Sequence, residues 1–288
     1  MTLLTDAHPI SPASATRPHE GQFFVVTGST QGLGAAVAQQ LAERGAAGLI
    51  VCGRQQAAGA QQVEALRALG CAAHFVAANL QRVDDCRAIV AAAEQRFGTL
   101  HGLVNCAGLS DRGTILDTSP ELFDALMAVN VRAPFFLMQE AIALMLRGGV
   151  AGSIVNIHSM CAHGGQPFLA AYSASKGALA TLTKSVAFGV MRNRIRVNGL
   201  NIGWMNTPHE DEVQRRFHGA PADWLAQACA AQPFGRLLEP REVAQAVSFL
   251  LSAESGLMTG SVIDMDQGVN GCSDGGPPQP AQAMRLPA

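Results

Sequence analysis

The chain has 288 residues, 48% of them apolar and 15% charged, with a formal net charge of −2. That is enough apolar sequence for a sizeable core, without the basic surplus that would point to nucleic acid or the polybasic run that would point to a membrane. Its seven cysteines include no CxxC pair, which argues against a disulfide framework or zinc site and for a reducing compartment, the cytoplasm.

The first twenty residues are rich in Pro, Ser, Thr and Ala and lack the apolar centre of a signal peptide. They read as a flexible N-terminal segment, 1–20. No uninterrupted apolar run of the length needed to span a bilayer follows, so no transmembrane helix is expected. From 21 to 270 short apolar runs alternate with longer Ala-rich stretches of helical period. Strands are expected at 22–27, 48–52, 73–78, 101–105, 152–158, 195–200 and 261–265. Helices are expected between them at 32–44, 56–69, 83–97, 119–147, 171–192 and 240–252. Such alternation requires crossover connections. The fold class is therefore α/β: one doubly wound domain with a parallel seven-stranded sheet, Rossmann-like, and helices on both faces. Residues 205–235 break the rhythm after the sixth strand. Ligands bind beyond the carboxyl ends of such strands, so this insertion reads as a substrate lid, with an ordinary surface helix pair as the alternative. Residues 271–288, rich in Gly and Pro, read as a C-terminal tail, disordered or packed on a neighbouring subunit.

The first strand runs into TGSTQGLG, Thr27 to Gly34, and then into a helix. Gly28 allows a sharp turn, and Gly32 and Gly34 allow close approach to a pyrophosphate. The helix N-terminus offers free N–H groups to that anion. Thr30, Gln31 and Leu33 complete this cofactor loop. After the second strand come Gly53 and Arg54, with no acid until Glu64. An acid there would suit the 2′-hydroxyl of NAD, whereas an arginine tolerates the 2′-phosphate of NADP. The cofactor is thus NADP or NAD, with NADP favoured. The neutral Gln31 argues the other way, and Arg54 could instead stack on adenine or face solvent.

Tyr172 is the only tyrosine, and Lys176 follows four residues on, one helical turn away on the same face. To act near neutral pH the phenol must fall from about 10, at a differential stabilisation of about 4 kcal/mol. A lysine ammonium and a cationic nicotinamide ring both favour phenolate. Ser159 ends the fifth strand, thirteen residues before Tyr172, at the same ligand edge. Its hydroxyl can donate to a substrate oxygen while the tyrosine exchanges a proton with it.

TGSTQGLG, NCAG at Asn105 to Gly108, IHS ending on Ser159, and YSASK from Tyr172 to Lys176 stand in an order and spacing that resemble the short-chain dehydrogenase/reductase family over about residues 21–270. The resemblance implies that Ser159 orients the substrate and that Tyr172 is the general acid/base. It implies that Lys176 binds the nicotinamide ribose and lowers the Tyr172 pKa, and that Asn130, in MAVNV, holds a water in a proton relay behind the lysine. Asn105, Ala107 and Gly108 would support the sheet and line the adenine–ribose channel. A homotetramer through the helices at 119–147 and 171–192 is implied as well. The chain departs from the family pattern in places. Cys106 replaces a usual asparagine. Asn79, with Leu80 beside it, stands where an aspartate receives the adenine amino group, though its amide oxygen can accept that bond. NIGWMNTP replaces the usual Pro-Gly after the sixth strand; Ile202 would offer its backbone, and Thr207 its hydroxyl, to the nicotinamide carboxamide.

His158 and His163 flank Ser159, but no third ligand accompanies them, so no metal is expected. Strand alternation turns His158 away from the Ser159 face. His163 and Gln166 are expected to line the substrate pocket with Ser159, Trp204 and Met205; Trp204 is the candidate pocket wall, and Trp224 belongs to lid or core. The resulting reading is an NAD(P)-dependent oxidoreductase that transfers hydride between nicotinamide and a secondary alcohol or ketone. Gln, His and Asn near the pocket lean towards a sugar or polyol. A 3-oxoacyl-thioester reductase or broad ketone reductase is the enzymatic alternative, and a basic patch at the pocket mouth would favour the acyl carrier. A non-catalytic dinucleotide-binding regulator is the alternative of another class, but such a protein need not keep Asn130, Ser159, Tyr172 and Lys176 together. The expected partners are a small alcohol or carbonyl substrate and copies of the chain itself.

Overall fold

The computed structural model describes residues 17–272 and 283–284. Its strands are β1 (Phe23–Val26), β2 (Gly48–Gly53), β3 (Ala72–Ala77), β4 (Gly102–Asn105), β5 (Ser153–Ile157), β6 (Arg196–Ile202) and β7 (Val262–Met265). They form one sheet in the order β3-β2-β1-β4-β5-β6-β7, and every neighbouring pair is parallel. Side-chain alternation divides the apolar residues of these strands between two cores. Phe24, Val26, Leu49, Val51, Val104, Val155 and Leu200 face one cluster. Val25, Ile50, Leu103, Ile154 and Val197 face the other. The helices α1 (Gly32–Glu43), α2 (Gln56–Ala68) and α9 (Pro240–Leu251) cover the first face through Val37, Leu41, Val63, Leu66, Val247 and Leu250. The helices α3 (Val83–Phe97), α5 (Ala133–Arg147) and α6 (Ala170–Val190) cover the second through Ile89, Leu137, Met145 and Ala187. Because β1 lies between β2 and β4, the chain leaves it in opposite directions on its two sides. The loops at its carboxyl end diverge there and leave a crevice.

Three details differ from the sequence reading. The helix expected over 119–147 is two helices, α4 (Pro120–Met127) and α5, joined by a π-helical turn at Ala128–Arg132. Pro134 has no N–H to give the carbonyl four residues back, at Asn130, so the helix widens there. Second, where the sequence reading expects no membrane-spanning run, 120–147 is long and apolar enough to cross a membrane by length and composition alone, but Leu137, Met138, Ala141, Leu144 and Met145 are buried in the second core. The third difference is at the N-terminus. Packed chain begins before residue 21: His19 is fully buried, its Nε2 2.7 Å from Ser248 Oγ, and Glu20 bridges Ala46. Residues 1–16, and all of the tail beyond 272 except 283–284, lie outside the described residues.

The insertion after β6 holds α7 (Pro208–His218) and α8 (Trp224–Ala230). Trp224, Ala228 and Leu237 form a small core of their own there.

Candidate active site

The crevice beside β1 is built by side chains that lock adjacent loops together. Thr27 Oγ1 accepts from the N–H groups of Cys106 (3.0 Å) and Ala107 (3.1 Å), tying the loop after β1 to the loop after β4. Ser29 Oγ donates to Val26 O at 2.7 Å and accepts from Cys52 N at 2.9 Å, tying the same loop to β2. Gly28 has φ +63°, and a Cβ there would meet Ala107 Cα at 2.9 Å. A Cβ on Gly34 would run into the Gly28 carbonyl, so helix and loop approach each other only because both residues are glycine. The first turn of α1 has no acidic residue and no side-chain cap from Gln31, so its N–H groups are open to an anion. Thr30 packs on Gly53, and Arg54 is exposed just beyond it. These residues fit a dinucleotide, with its phosphates at the start of α1 and its adenosine end over β2.

Two of the residues expected to touch a cofactor do not present their side chains to the crevice. Asn105 is buried, and its Nδ2 donates to Asn156 Oδ1 at 2.8 Å; it holds β4 to β5. Leu80 packs into the second core. Asn79 is exposed, as an adenine contact must be, but its Oδ1 already accepts from Gln81 N at 3.1 Å. Ala107 abuts Gly28, and Gly108 lies beside Lys176 and Asn130.

Asn130 sits in the π-turn, buried. Its Oδ1 accepts from Leu109 N, and its Nδ2 donates to Leu109 O, both at 2.9 Å. The other Nδ2 hydrogen goes to Ser175 Oγ at 3.0 Å. The amide therefore pins the loop after β4 to α6, one residue before Lys176. Behind it, Asn156 Nδ2 donates to Thr183 Oγ1 at 2.9 Å, and His158 Nε2 lies 3.0 Å from the same oxygen. Thr183 spends its own hydrogen on Leu179 O, so His158 donates through Nε2 and is neutral. Burial, helped by the Lys176 charge, pushes its pKa down to about 3. As strand alternation implied, this histidine is turned away from the chemistry.

Ser159, Tyr172 and Lys176 line one cleft of about 700 Å³ at the carboxyl ends of β4, β5 and β6. Ser159 caps a short 3-10 turn, Met160–His163, accepting Cys161 N at 3.2 Å. Lys176 is buried, and its Nζ donates to Ile157 O at 2.9 Å, 5.7 Å from the Tyr172 ring centre. Burial pushes its pKa down to about 8. In the protein alone burial pushes the Tyr172 phenol up to about 12, against the pull of the Ser159 hydrogen bond and the Arg112 charge; the expected fall includes the charge of the nicotinamide ring. Desolvation penalises the phenolate more than these two neighbours favour it.

Gln166, Ile202, Trp204, Met205 and Thr207 also line this cleft, as expected. Thr207 caps α7, with its Oγ1 accepting from Glu210 N at 3.1 Å. Trp204 stacks on Trp224 at 6.1 Å; the first is pocket wall and the second is lid core. His163 is the exception. It leaves the cleft for β7, with Nε2 2.9 Å from Asp264 Oδ1 and 3.1 Å from Asn201 Nδ2. The 3-10 turn swings it away from the pocket and towards that carboxylate. Sequence reading missed Arg112, Phe168, Glu210, Gln214, His218 and Asp266, all in the cleft lining. For Arg112 a signal existed: the loop after β4 lies at the ligand edge, and a cation there is exceptional.

A family model described as enoyl-(acyl carrier protein) reductase matches residues 28–270. The cis-4-hydroxycyclohexanecarboxylate dehydrogenase of Sinomonas cyclohexanicum is 35% identical over 246 residues, 85% of this chain and 94% of that one. The sorbitol dehydrogenase of Cereibacter sphaeroides is 30% identical over 253 residues, 86% of this chain and 97% of its own. Among solved structures, an NAD+-bound xylitol dehydrogenase superposes with a TM-score of 0.79 at 26% identity, covering 87% of this chain and 99% of that one. With the parallel sheet, the glycine cradle and the Ser159–Tyr172–Lys176 cleft, these matches identify the chain as an oxidoreductase that belongs to the short-chain dehydrogenase/reductase family.

Proposed function

We propose that the protein is an NAD(P)-dependent oxidoreductase that interconverts a secondary alcohol and a ketone, with Tyr172 as the proton carrier. The observation that carries this reading is that Ser159, Tyr172 and Lys176 converge on one cleft next to the uncapped start of α1. Bound dinucleotide supplies the hydride acceptor or donor at the nicotinamide ring, and the positive charge of its oxidised form favours the Tyr172 phenolate. In the oxidative direction the carbinol O–H gives its proton to Tyr172 Oη as the carbinol C–H leaves as hydride. In the reductive direction the same phenol returns the proton to the carbonyl oxygen. Ser159 holds that oxygen, and Lys176, fixed by Ile157 O, is placed to bind the nicotinamide ribose. Asn130 positions the Lys176 segment through its hydrogen bond to Ser175.

NADP is the favoured cofactor, because Arg54 is exposed at the adenosine end and no acid stands there. A hydroxyl-bearing substrate is supported by Gln166, Gln214 and Glu210 in the cleft, and two of the relatives are named for polyols. The acyl-thioester alternative finds less support, since the lid arginines are already paired: Arg215 with Asp211 at 2.8 Å and Arg216 with Asp111 at 3.7 Å. Seven free cysteines suit the cytoplasm. Exposed Phe123, Phe135, Phe188 and Met191 support a homotetramer through α4–α5 and α6.

The test is Tyr172→Phe. Turnover on a panel of polyols and ketones should fall about 10²–10⁴-fold while NAD(P)H fluorescence still reports binding. A variant that binds and turns over at the wild-type rate would refute the assignment.

A further inference from the structure

Arg112 is a cleft residue with no role in the proton transfer described above. It lies in the loop after β4, which is pinned to the segment before α6 by Gly113 N donating to Phe168 O at 2.9 Å. One guanidinium nitrogen, Nη1, donates to Ser110 O at 2.6 Å. The Nε is buried and has no partner. Among the described residues Arg112 forms no ion pair. A partly buried guanidinium without a carboxylate is costly, and it persists where an anion completes it.

Its surroundings fix which side of the cleft it serves. The guanidinium lies over the Phe168 ring at 5.9 Å, and that ring meets His218, at the end of lid helix α7, edge-on at 5.1 Å. This is the lid side of the cleft. Its charge nevertheless reaches Tyr172, where it favours the phenolate. The acids nearby do not pair with it. Glu210 Oε1 accepts Trp204 Nε1 at 2.8 Å and Gln214 Nε2 at 2.7 Å. Asp266 Oδ2 accepts Gly268 N at 3.2 Å, beside Gly203. The other buried cation of the cleft, Lys176, is held by Ile157 O.

We propose, resting on the oxidoreductase reading, that the substrate is a hydroxy acid or oxo acid whose carboxylate is bound by Arg112 under the lid while its carbinol or carbonyl group faces Tyr172. Arg112 has two donors without a partner, the buried Nε and the second Nη, and a planar carboxylate is the group that completes a guanidinium in bidentate fashion. Neutral polyols would leave that cation unpaired. The proposal therefore narrows a hydroxyl-bearing substrate to an anionic one.

The experiment compares 4-oxopentanoate and 5-oxohexanoate with their primary amides, using the wild type, Arg112→Gln and Arg112→Lys. A site built around a charged partner discriminates steeply against the uncharged isostere. The wild type should prefer each acid over its amide by about tenfold or more in kcat/KM, and in Arg112→Gln the ratio should fall to near one, through KM of the acid. Arg112→Lys should keep part of the preference, which separates lost charge from lost folding. Equal use of acid and amide by the wild type, or a preference that survives in Arg112→Gln, overturns the proposal. If the wild type turns over no carbonyl compound of either charge, the oxidoreductase reading fails. Calorimetric binding of 4-oxopentanoate then decides the Arg112 site separately: binding that Arg112→Gln abolishes upholds it, and binding that is absent or unchanged overturns it.

Discussion

The cleft has two walls of opposite construction. The catalytic wall, formed by β5, the loop after β4 and the first turns of α6, is held by buried and part-buried side-chain hydrogen bonds. Asn130 clamps both polar groups of the Leu109 peptide and reaches Ser175; Asn156, Thr183 and His158 form a second knot behind it. The lid wall, α7 and α8, keeps most of its polar contacts at the surface: Trp204 to Glu210, Arg215 to Asp211 and Gln227 to Asp223 are all exposed pairs. Its core consists of Trp224, Ala228 and Leu237. A proton carrier must be fixed to fractions of an ångström, whereas a lid must open for substrate. The sequence spends its buried amides on the first wall and its surface charge on the second.

The comparison breaks hardest at Asn130. Replacing it with Ala leaves Leu109 N–H and Leu109 O without their partner in a part-buried site and takes one donor from Ser175 Oγ, which still donates to Tyr172 O, at a cost of about 2 kcal/mol. Urea unfolding should show that loss, and kcat should fall with it because the Lys176 segment is released. An unchanged midpoint would show that the loop holds itself.

His158 tests the same wall by pH. Its folded pKa is about 3, against 6.5 for the free side chain. Between those values the unfolded chain takes up a proton that the native state refuses, so stability is lost as pH falls below 6.5. At pH 5 this contributes about 2 kcal/mol of destabilisation relative to pH 7.5. Gln in its place can keep the bond to Thr183 and carries no titration. His158→Gln should therefore show a shallower acid loss by about that amount; parallel pH curves would mean that His158 is protonated in the fold. Buried His19, lowered to about 4, contributes a slope of its own in both proteins.

Legibility in the sequence follows the same division. The seven strands and the glycine loop could be read because burial on both faces leaves continuous apolar runs, and because close backbone approach admits only Gly at Gly28 and Gly34. Ser159, Tyr172 and Lys176 could be read because each stands at a fixed spacing from an element end. What could not be read depends on contacts between distant segments. Asn105 is read as sheet support and as channel lining; its side chain goes to the first, meeting Asn156, fifty-one residues away. His163 looked like pocket lining, yet it is captured by Asp264, one hundred and one residues on. The fall expected of the Tyr172 phenol draws on Lys176 and a cationic nicotinamide ring, and the burial that opposes it is set by distant segments and is not written in YSASK. Arg112 carries no local signature beyond its place after β4; that it lacks an ion-pair partner among the described residues shows only in the folded chain.

The smallest expected effect is the most specific to the lid. Trp224 is 6% exposed, stacks on Trp204 at 6.1 Å and donates to Asp211 Oδ1 at 2.7 Å. It belongs to a cluster separate from the two cores that flank the sheet. Truncating a tryptophan in a main core would lower the stability of the whole domain. Here the loss should fall on lid closure alone, because local opening draws on local contacts. Trp224→Ala should raise KM about tenfold, equivalent to about 1.4 kcal/mol of lid closure, and leave the main thermal transition within about 2 °C of wild type. A large drop in Tm with KM unchanged would reverse the picture: the lid would then be part of the domain's stability, and the two walls of the cleft would not differ in kind.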